Sequence, residues 1–250
     1  MILTLIPIFF AISILYSAVG LGGGSAYIAV MILFGVSRDT LPVVALGCNL
    51  IVAGTSFIRY KRAGFFRWDV FSRFGIASMP FAYIGGRLNV SDKIFTTILA
   101  VALALAAIRL IFWKQPDAKC RTLNGISPML SVVSIGHLAI GAGLGLVAGI
   151  TGIGGGIYLI PTLILLKIAS PKEASAIASL FIVVNSMSGL MGHASRGYFD
   201  LNIFLPLASV VFLGGLIGSK IGATHLKGEA IQKVVGIILF IAVVRLIVIF

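Results

Sequence analysis

Uninterrupted apolar runs constrain the fold of this chain more than any other feature. One of them, Phe95–Trp113, has the sequence FTTILAVALALAAIRLIFW, and similar runs recur along the whole chain. Only 10% of the 250 residues are charged, whereas soluble domains average about 25%. The runs also lack the apolar–polar alternation of outer-membrane strands. Because only helices and closed barrels satisfy their backbone in lipid, the sequence predicts an all-α polytopic membrane protein.

Two glycine clusters interrupt the longest runs. Gly20–Ser25 has the sequence GLGGGS, and Gly152–Ile157 has the sequence GIGGGI. Inside a helix, glycine costs about 1 kcal/mol relative to alanine. The 35-residue block Ile2–Val36 would be about 50 Å long as one helix, against a hydrocarbon core of about 30 Å. We therefore expect each block to form a glycine-broken or re-entrant helix.

The clusters belong to an internal repeat. Gly20, Gly22, Gly23 and Gly24 match Gly152, Gly154, Gly155 and Gly156 at an offset of 132. Further matches follow in the same order: Arg38-Asp39 with Lys172-Glu173, IGGRL with IGSKI, and RLI at 109 and 245. The sequence predicts a membrane repeat over residues 1–113, a polar linker over 114–128 and a second membrane repeat over 129–250. Duplicated halves are typical of secondary transporters, although duplication can also serve packing alone.

The distribution of Lys and Arg favours inverted halves. If each glycine-broken block crosses the membrane an even number of times, twelve basic residues lie on one side and four on the other. If each block crosses once, the same loops carry eight on each side. Because cytoplasmic loops are enriched in Lys and Arg, an even number of membrane crossings for each glycine-broken block is favoured. It predicts two inverted homologous halves with both termini outside the cytoplasm.

The glycine clusters allow three interpretations. A dinucleotide fingerprint needs a strand before it, a helix after it and an acidic residue about 20 positions later. Neither copy sits in such a setting, because both are surrounded by apolar, membrane-type sequence. Close packing through small residues is the structural alternative. We favour the third, a helix broken at membrane depth, whose N-terminal amides and dipole face an anion. Two such breaks, one in each half, predict a substrate site at the repeat interface.

Polar residues in and near the breaks complete this predicted site. Amides and hydroxyls inside apolar blocks either cross-link helices or donate hydrogen bonds to the oxygens of a substrate. Asn49 and Asn185 correspond only roughly between the halves, and Tyr27 and Tyr158 also flank the breaks. The predicted substrate-binding residues are Gly22, Gly23, Gly24, Ser25, Asn49, Thr151, Gly154, Gly155, Gly156, Asn185 and Ser186.

Charge placement favours an anionic substrate. All seven acidic residues lie outside or at the edges of the apolar blocks, whereas Arg73, Arg109 and Arg245 lie inside them. Each of these arginines is near enough to a block end to snorkel. Intramembrane carboxylates mark many cation and proton pathways, so their absence from the sequence disfavours a cationic substrate. No catalytic set, metal-ligand spacing, cofactor motif, ATP-binding motif or nucleic-acid groove is recognisable in the sequence.

The two halves resemble the sulfite exporter TauE/SafE family of bacterial and archaeal permeases. The resemblance rests on GLGGGSAYIAVMILFGVSRDTLPVVALGCNL, on GITGIGGGIYLIPTLILLKIASPKEASAIASLFIVVNSMSGL, and on the later IGGRL and IGSKIGATHL. It implies transport of a sulfur-containing oxyanion or organosulfonate, such as sulfite or sulfoacetate. The halves are unequal, because Pro161 follows the second cluster where Ala29 follows the first.

Taken together, the sequence predicts a secondary transporter for a small anion that works by alternating access. The expected partners are the anion, the lipid bilayer and a coupling ion, proton or sodium; no cofactor, metal or nucleic acid is expected. The expected location is the plasma or inner membrane of a bacterium or archaeon, as a multi-pass protein. The alternatives are a membrane scaffold without cargo, a carboxylate transporter and an intramembrane enzyme.

Overall fold

The fold is built from α-helices. The computed structural model describes residues 2–112, 135–166, 168–194 and 201–224, together with Phe240 and Val244. The described residues form no strands. The helices are α1 Ile2–Ala18, α2 Gly24–Leu33, α3 Thr40–Arg62, α4 Trp68–Arg87, α5 Asp92–Phe112, α6 Ile135–Thr151, α7 Gly156–Leu165, α8 Pro171–Ala194 and α9 Leu201–Thr224.

Both glycine clusters break a helix, as the sequence predicts. The first separates α1 from α2, and Gly23, immediately before α2, has a φ of +92°. The second separates α6 from α7, and Gly155, immediately before α7, has a φ of +75°. L-residues rarely adopt these left-handed conformations, whereas glycine adopts them freely. Each second half-helix has ten residues, which is about 15 Å and half of the hydrocarbon core.

Stripes of small residues pack helix α6 against α4 and helix α9 against α1. Gly141, Gly145 and Gly149 of α6 face the backbone of Phe74, Ser78 and Ala82 of α4. In the same way, the glycines of α9 face the backbone and serine side chains of α1, in the pairs Gly214 with Phe10 and Ser13, Gly218 with Ile14 and Ser17, and Gly222 with Ala18. Residue numbers rise together in both pairs, so α6 runs parallel to α4 and α9 runs parallel to α1. Close packing through small residues is therefore present, on these stripes as well as at the breaks.

Alanine at Gly145 should destabilise the protein. Its Cβ would lie 2.8 Å from Ser78 C and Cα, so α4 and α6 would have to separate. Overpacking of this kind costs about 1–3 kcal/mol. The matched control is Gly143→Ala on the same helix, where a Cβ meets no atom within 4 Å. Thermal unfolding in detergent should show a lower Tm for Gly145→Ala and no loss for Gly143→Ala; equal Tm values would contradict this packing.

Helices α3 and α8, each of which follows a broken helix, pack against each other in antiparallel directions. A Cβ on Gly189 of α8 would lie 3.1 Å from Leu46 Cδ1 in α3. Near the other end of the pair, Tyr60 of α3 donates a hydrogen bond to Ala18 O. Gly20, two residues after Ala18, faces Ser175 of α8. Early residues of α3 therefore lie beside late residues of α8, and late residues of α3 lie beside early ones of α8.

Two groups of loop contacts define the two ends of the molecule. On the Arg67 side, Arg67 Nη1 donates to Ile168 O at 3.3 Å and lies 3.9 Å from Glu173 Oε1. On the Arg38 side, Arg38 Nη2 donates to Val90 O at 2.6 Å. The loop 63–67 and the segment 168–170 therefore meet at the same end.

Each broken helix begins and ends on one side of the molecule. Helix α9 runs parallel to α3, because Gly47 faces Phe204 and Gly215 faces Thr55. Since α1 is parallel to α9, α1 begins on the Arg38 side, and α2 ends there. By the same argument, α6 runs parallel to α4 from the Arg67 side, and α7 ends on that side at Leu165, three residues before Ile168. The two broken helices thus enter from opposite ends.

Three described helices are long and apolar enough to cross a membrane: Thr40–Arg62, Pro171–Ala194 and Leu201–Gly222. This assignment rests on length and composition. The predicted linker 114–128 and most of the last apolar block lie outside the described residues. The division into two membrane repeats with a linker therefore stays a prediction.

Candidate functional site

The two glycine breaks meet at Asn49. This α3 side chain is fully buried, and its Nδ2 donates a hydrogen bond to Gly152 O at 3.2 Å. A Cβ on Gly24 would overlap the Asn49 amide and lie 2.8 Å from Gly152 O. A Cβ on Gly154 would lie 2.9 Å from Asn49 Nδ2. One amide side chain thus contacts backbone from both halves, and these glycines allow that close approach.

Free backbone amides concentrate at the breaks. The first amides of any helix have no partner within the helix. Among the described residues, the N–H groups of residues 22–26 and of residues 154–157 make no hydrogen bond. The residues at the two N-cap positions, Gly23 and Gly155, have no side chain that could accept hydrogen bonds from these amides. Two half-helices therefore begin close together with their amides, and the positive ends of their dipoles, unsatisfied.

Four carbonyls at the same breaks accept hydrogen bonds from side chains. At the end of α1, the Ser56 hydroxyl donates to Ser17 O and the Tyr60 hydroxyl donates to Ala18 O. At the end of α6, Asn49 donates to Gly152 O, and His193 Nε2 lies 2.9 Å from Gly149 O. Because a carbonyl only accepts, His193 Nε2 carries the hydrogen. These four carbonyl oxygens are therefore paired with protein donors, whereas the backbone N–H donors of residues 22–26 and 154–157 are left unpaired.

Several buried polar side-chain atoms also have no partner. Buried polar groups are normally hydrogen-bonded, and each exception calls for an explanation. Asn185 and Ser186 of α8 are fully buried, and neither the Asn185 amide nor the Ser186 hydroxyl has a partner among the described residues. In the antiparallel packing of α3 and α8, residues 185 and 186 fall at the level of Asn49. The remaining such atoms at the breaks are Asn49 Oδ1 and the Tyr27 hydroxyl.

Ser25 and Thr151, which the sequence also singled out, have internal partners. Ser25 Oγ and the Tyr16 hydroxyl share a hydrogen bond of 3.2 Å. Thr151 Oγ1 donates to Val147 O at 2.7 Å and accepts weakly from Ile153 N at 3.4 Å. Both side chains support the local backbone of their break. In this conformation their hydroxyls are less available to a substrate than those of Tyr27 and Ser186.

The two halves are not equivalent at the site. In the first half, a Cβ on Gly22 or Gly24 would meet Asn49. At the second break, a Cβ on the matching Gly154 would lie 2.9 Å from Asn49 Nδ2 and 3.1 Å from Ile182 Cγ2, and a Cβ on Gly156 would meet Ile182. Ile182, and not Asn185, therefore occupies the place that corresponds to Asn49, and Asn185 lies about one turn further along α8. The glycine clusters alone gave no indication of this apolar counterpart.

Arg73 differs from its sequence-based expectation. It was expected to snorkel, but only 5% of its surface is exposed. The carboxylate of Asp69, one turn earlier on α4, is close enough to interact with it electrostatically. The side chain of Arg109 and residue Arg245 lie outside what the structure describes. Arg73 is thus packed into the protein on the Arg67 side, away from the second break.

Comparison with known proteins identifies the family. The model of the family described as sulfite exporter TauE/SafE matches residues 5–246. The chain belongs to the sulfite exporter TauE/SafE family. The match includes both glycine breaks. No solved structure matches the chain.

Curated relatives of this TauE/SafE protein come from bacteria and an archaeon. It is 28% identical over 240 residues to the probable membrane transporter protein y4hK of Sinorhizobium fredii, covering 95% of each chain. It is 28% identical to the probable membrane transporter protein YunE of Bacillus subtilis, covering 90% of this chain and 89% of YunE. It is also 28% identical to the probable membrane transporter protein MJ0441 of Methanocaldococcus jannaschii, with 89% and 88% covered.

A small cleft leads from the Arg38 side of the TauE/SafE protein toward the second break. Arg38, Pro42, Phe95 and His193 are among its lining residues. The Arg38 guanidinium lies over the Phe95 ring, 4.7 Å from its centroid. Pro42 reaches the break itself, since a Cβ on Gly152 would lie 2.6 Å from Pro42 Cα. Arg38 and Asp39 thus line the same cleft as Pro42, which contacts the Gly152 backbone.

Proposed function

We propose that this protein is a secondary transporter that binds a small sulfur-containing anion between its two glycine breaks. As a member of the TauE/SafE family it is a membrane transporter, which accords with its apolar helices. The observation that carries the finer proposal is the group of unpaired backbone amides of residues 22–26 and 154–157, which converge on Asn49. Helix N-termini with free amides are ready-made anion sites.

The distribution of donors and acceptors favours an anion over a cation. Cation sites in broken-helix transporters use unwound carbonyls and helix C-terminal ends. Here Ser56, Tyr60, Asn49 and His193 are paired with those carbonyls. The unpaired amides and the Tyr27 and Ser186 hydroxyls can donate to the oxygens of a sulfite or sulfonate group.

Alternating access follows from the tight packing at the breaks. In the described conformation, residues from both halves approach too closely for even one extra carbon at Gly24. An anion therefore enters only when the halves move apart at Asn49. We infer that the halves are inverted copies that rock against each other. The antiparallel packing of α3 and α8, and the entry of the two broken helices from opposite ends, support this arrangement.

The substrate class comes from the family, since amides and hydroxyls recognise an oxyanion without selecting sulfur. Sulfite and organosulfonates are therefore our first candidates, and small carboxylates are the alternative. A scaffold without cargo is disfavoured by the unpaired buried donors, which would serve no purpose in a sealed helix bundle. We place the protein in the plasma or inner membrane of a prokaryote as a multi-pass protein, with a proton or sodium gradient as the driving force.

A flux assay in proteoliposomes tests this proposal. The purified protein is reconstituted, and uptake of sulfite, sulfoacetate, taurine and acetate is measured with and without proton and sodium gradients. We expect saturable uptake of sulfite or sulfoacetate that exceeds the uptake of acetate and the leak of protein-free vesicles. Uptake of acetate alone would favour the carboxylate alternative. Leak-level flux of every solute would contradict the transporter proposal.

A further inference from the structure

We propose that the Tyr27 hydroxyl is a hydrogen-bond donor to the transported anion and helps to determine its affinity. The inference rests on the proposed anion site and adds a residue to it. Tyr27 lies in the first turn of α2, is fully buried, and stacks on Phe9 with a centroid distance of 4.5 Å. The ring is therefore held in one place by α1, and its hydroxyl has a fixed position.

The hydroxyl lies directly against the first break. A Cβ on Gly23 would lie 2.9 Å from the ring carbon Cζ of Tyr27 and 3.0 Å from its hydroxyl oxygen. The phenol is thus the group that closely approaches the left-handed glycine before α2. The neighbouring free amides are those of residues 22–26. An anion bound to these amides would be within reach of the phenol.

Tyr27 differs from three other tyrosines of the described structure. Tyr16 shares a hydrogen bond with Ser25, Tyr60 donates to Ala18 O, and Tyr158 donates to Ala102 O. The Tyr27 hydroxyl has no partner among the described residues. A buried donor without a partner destabilises the fold, and phenylalanine would keep the stack on Phe9 without that cost. A polar group kept at the expense of stability is typical of functional sites.

A phenol is suited to this position. It donates a directed hydrogen bond at neutral pH without adding a charge to the membrane interior. A neutral donor strengthens binding of an oxyanion without holding the anion so firmly that release becomes slow. Asn185 and Ser186 supply similar neutral groups from α8. The phenol contributes from the first half, next to the break.

The test compares Tyr27→Phe with Tyr83→Phe in proteoliposomes and in thermal unfolding. For whichever of sulfite or sulfoacetate the wild type carries, we expect Tyr27→Phe to raise KM about tenfold or more, because hydrogen bonds to charged groups are strong. Its Tm without substrate should equal or exceed that of the wild type. Tyr83 is half-buried on α4 and has no part in either break, so Tyr83→Phe should leave both KM and Tm unchanged.

The outcomes separate this inference from the proposed function. Leak-level flux in the wild type would contradict the proposed function, which is transport of an anion. Normal wild-type flux with an unchanged KM in Tyr27→Phe would overturn the inference alone. A lower Tm for Tyr27→Phe together with unchanged KM and reduced maximal flux would show a structural role and would also overturn it.

Discussion

Leucine at Gly23 or at Gly155 should abolish anion uptake while leaving the protein inserted in the membrane. Both glycines have left-handed φ angles, +92° and +75°, and a left-handed conformation costs other residues about 1–2 kcal/mol. A side chain would also collide with the Tyr27 ring at Gly23 and with Phe181 Cε1, 3.0 Å away, at Gly155. The half-helices would then be displaced, and their free amides would no longer converge on Asn49. We expect uptake to fall at least about 100-fold, the loss from one misplaced group near a reacting or binding centre.

A glycine outside the site supplies the matched control. Gly64, in the loop between α3 and α4, has a φ of +82°, but a Cβ there meets no atom within 4 Å. Gly64→Leu imposes the same backbone strain on an open loop, so uptake should stay within about twofold of the wild type, as for most surface substitutions. Membrane-fraction blots and size-exclusion profiles would establish that all three variants insert and remain monodisperse. Normal uptake by both Gly23→Leu and Gly155→Leu would refute the glycine-break site.

Asn49→Asp should be nearly as damaging, although it changes only one heavy atom. The substitution removes the Nδ2 donor that bonds to Gly152 O at 3.2 Å. It also places a carboxylate where the two breaks meet, beside a carbonyl oxygen and the expected anion. Juxtaposed like charges cost several kcal/mol, so we expect uptake to fall by about 100-fold or more. Isotope uptake at several substrate concentrations would show this as a large rise in KM.

Asn202→Asp is the control for the added negative charge. Asn202 lies at the exposed start of α9, away from both breaks. Its replacement changes net charge by the same amount as Asn49→Asp and should leave KM unchanged. If both aspartate variants took up the anion with wild-type KM, Asn49 would have no part in binding. If both were equally impaired, a general charge effect would replace the local one.

The sequence was sufficient to predict the breaks. Four glycines in the six residues 20–25, repeated at 152–156, are too costly for a continuous helix, and the structure breaks both helices there. Asn49, Asn185 and Ser186, which the sequence predicts as substrate-binding residues, are also buried. These features are local, because they depend on glycine conformation and on polar residues inside apolar runs.

Features that depend on which helices pack together could not be predicted from the sequence. Nothing in the spacing shows that Tyr16, nine residues earlier, is the partner of Ser25. The place of Ile182 follows from how α7 packs on α8, whereas the sequence offered only a rough correspondence between Asn49 and Asn185. Arg73 was expected to snorkel because of its distance along the helix, but the neighbouring helices bury it. In each case the outcome depends on tertiary packing, which cannot be predicted from the residue pattern of a single apolar sequence.

The anion site itself is tested most directly by locating a bound sulfonate. Crystals grown with 2-bromoethanesulfonate would give an anomalous bromine peak and, next to it, density for the sulfonate group. Our account predicts the sulfonate oxygens within hydrogen-bond distance of amides in residues 22–26 and 154–157, with Asn49 alongside. An ordered sulfonate found only elsewhere, such as in the Arg38 cleft, with both breaks as closely packed as they are here, would contradict it.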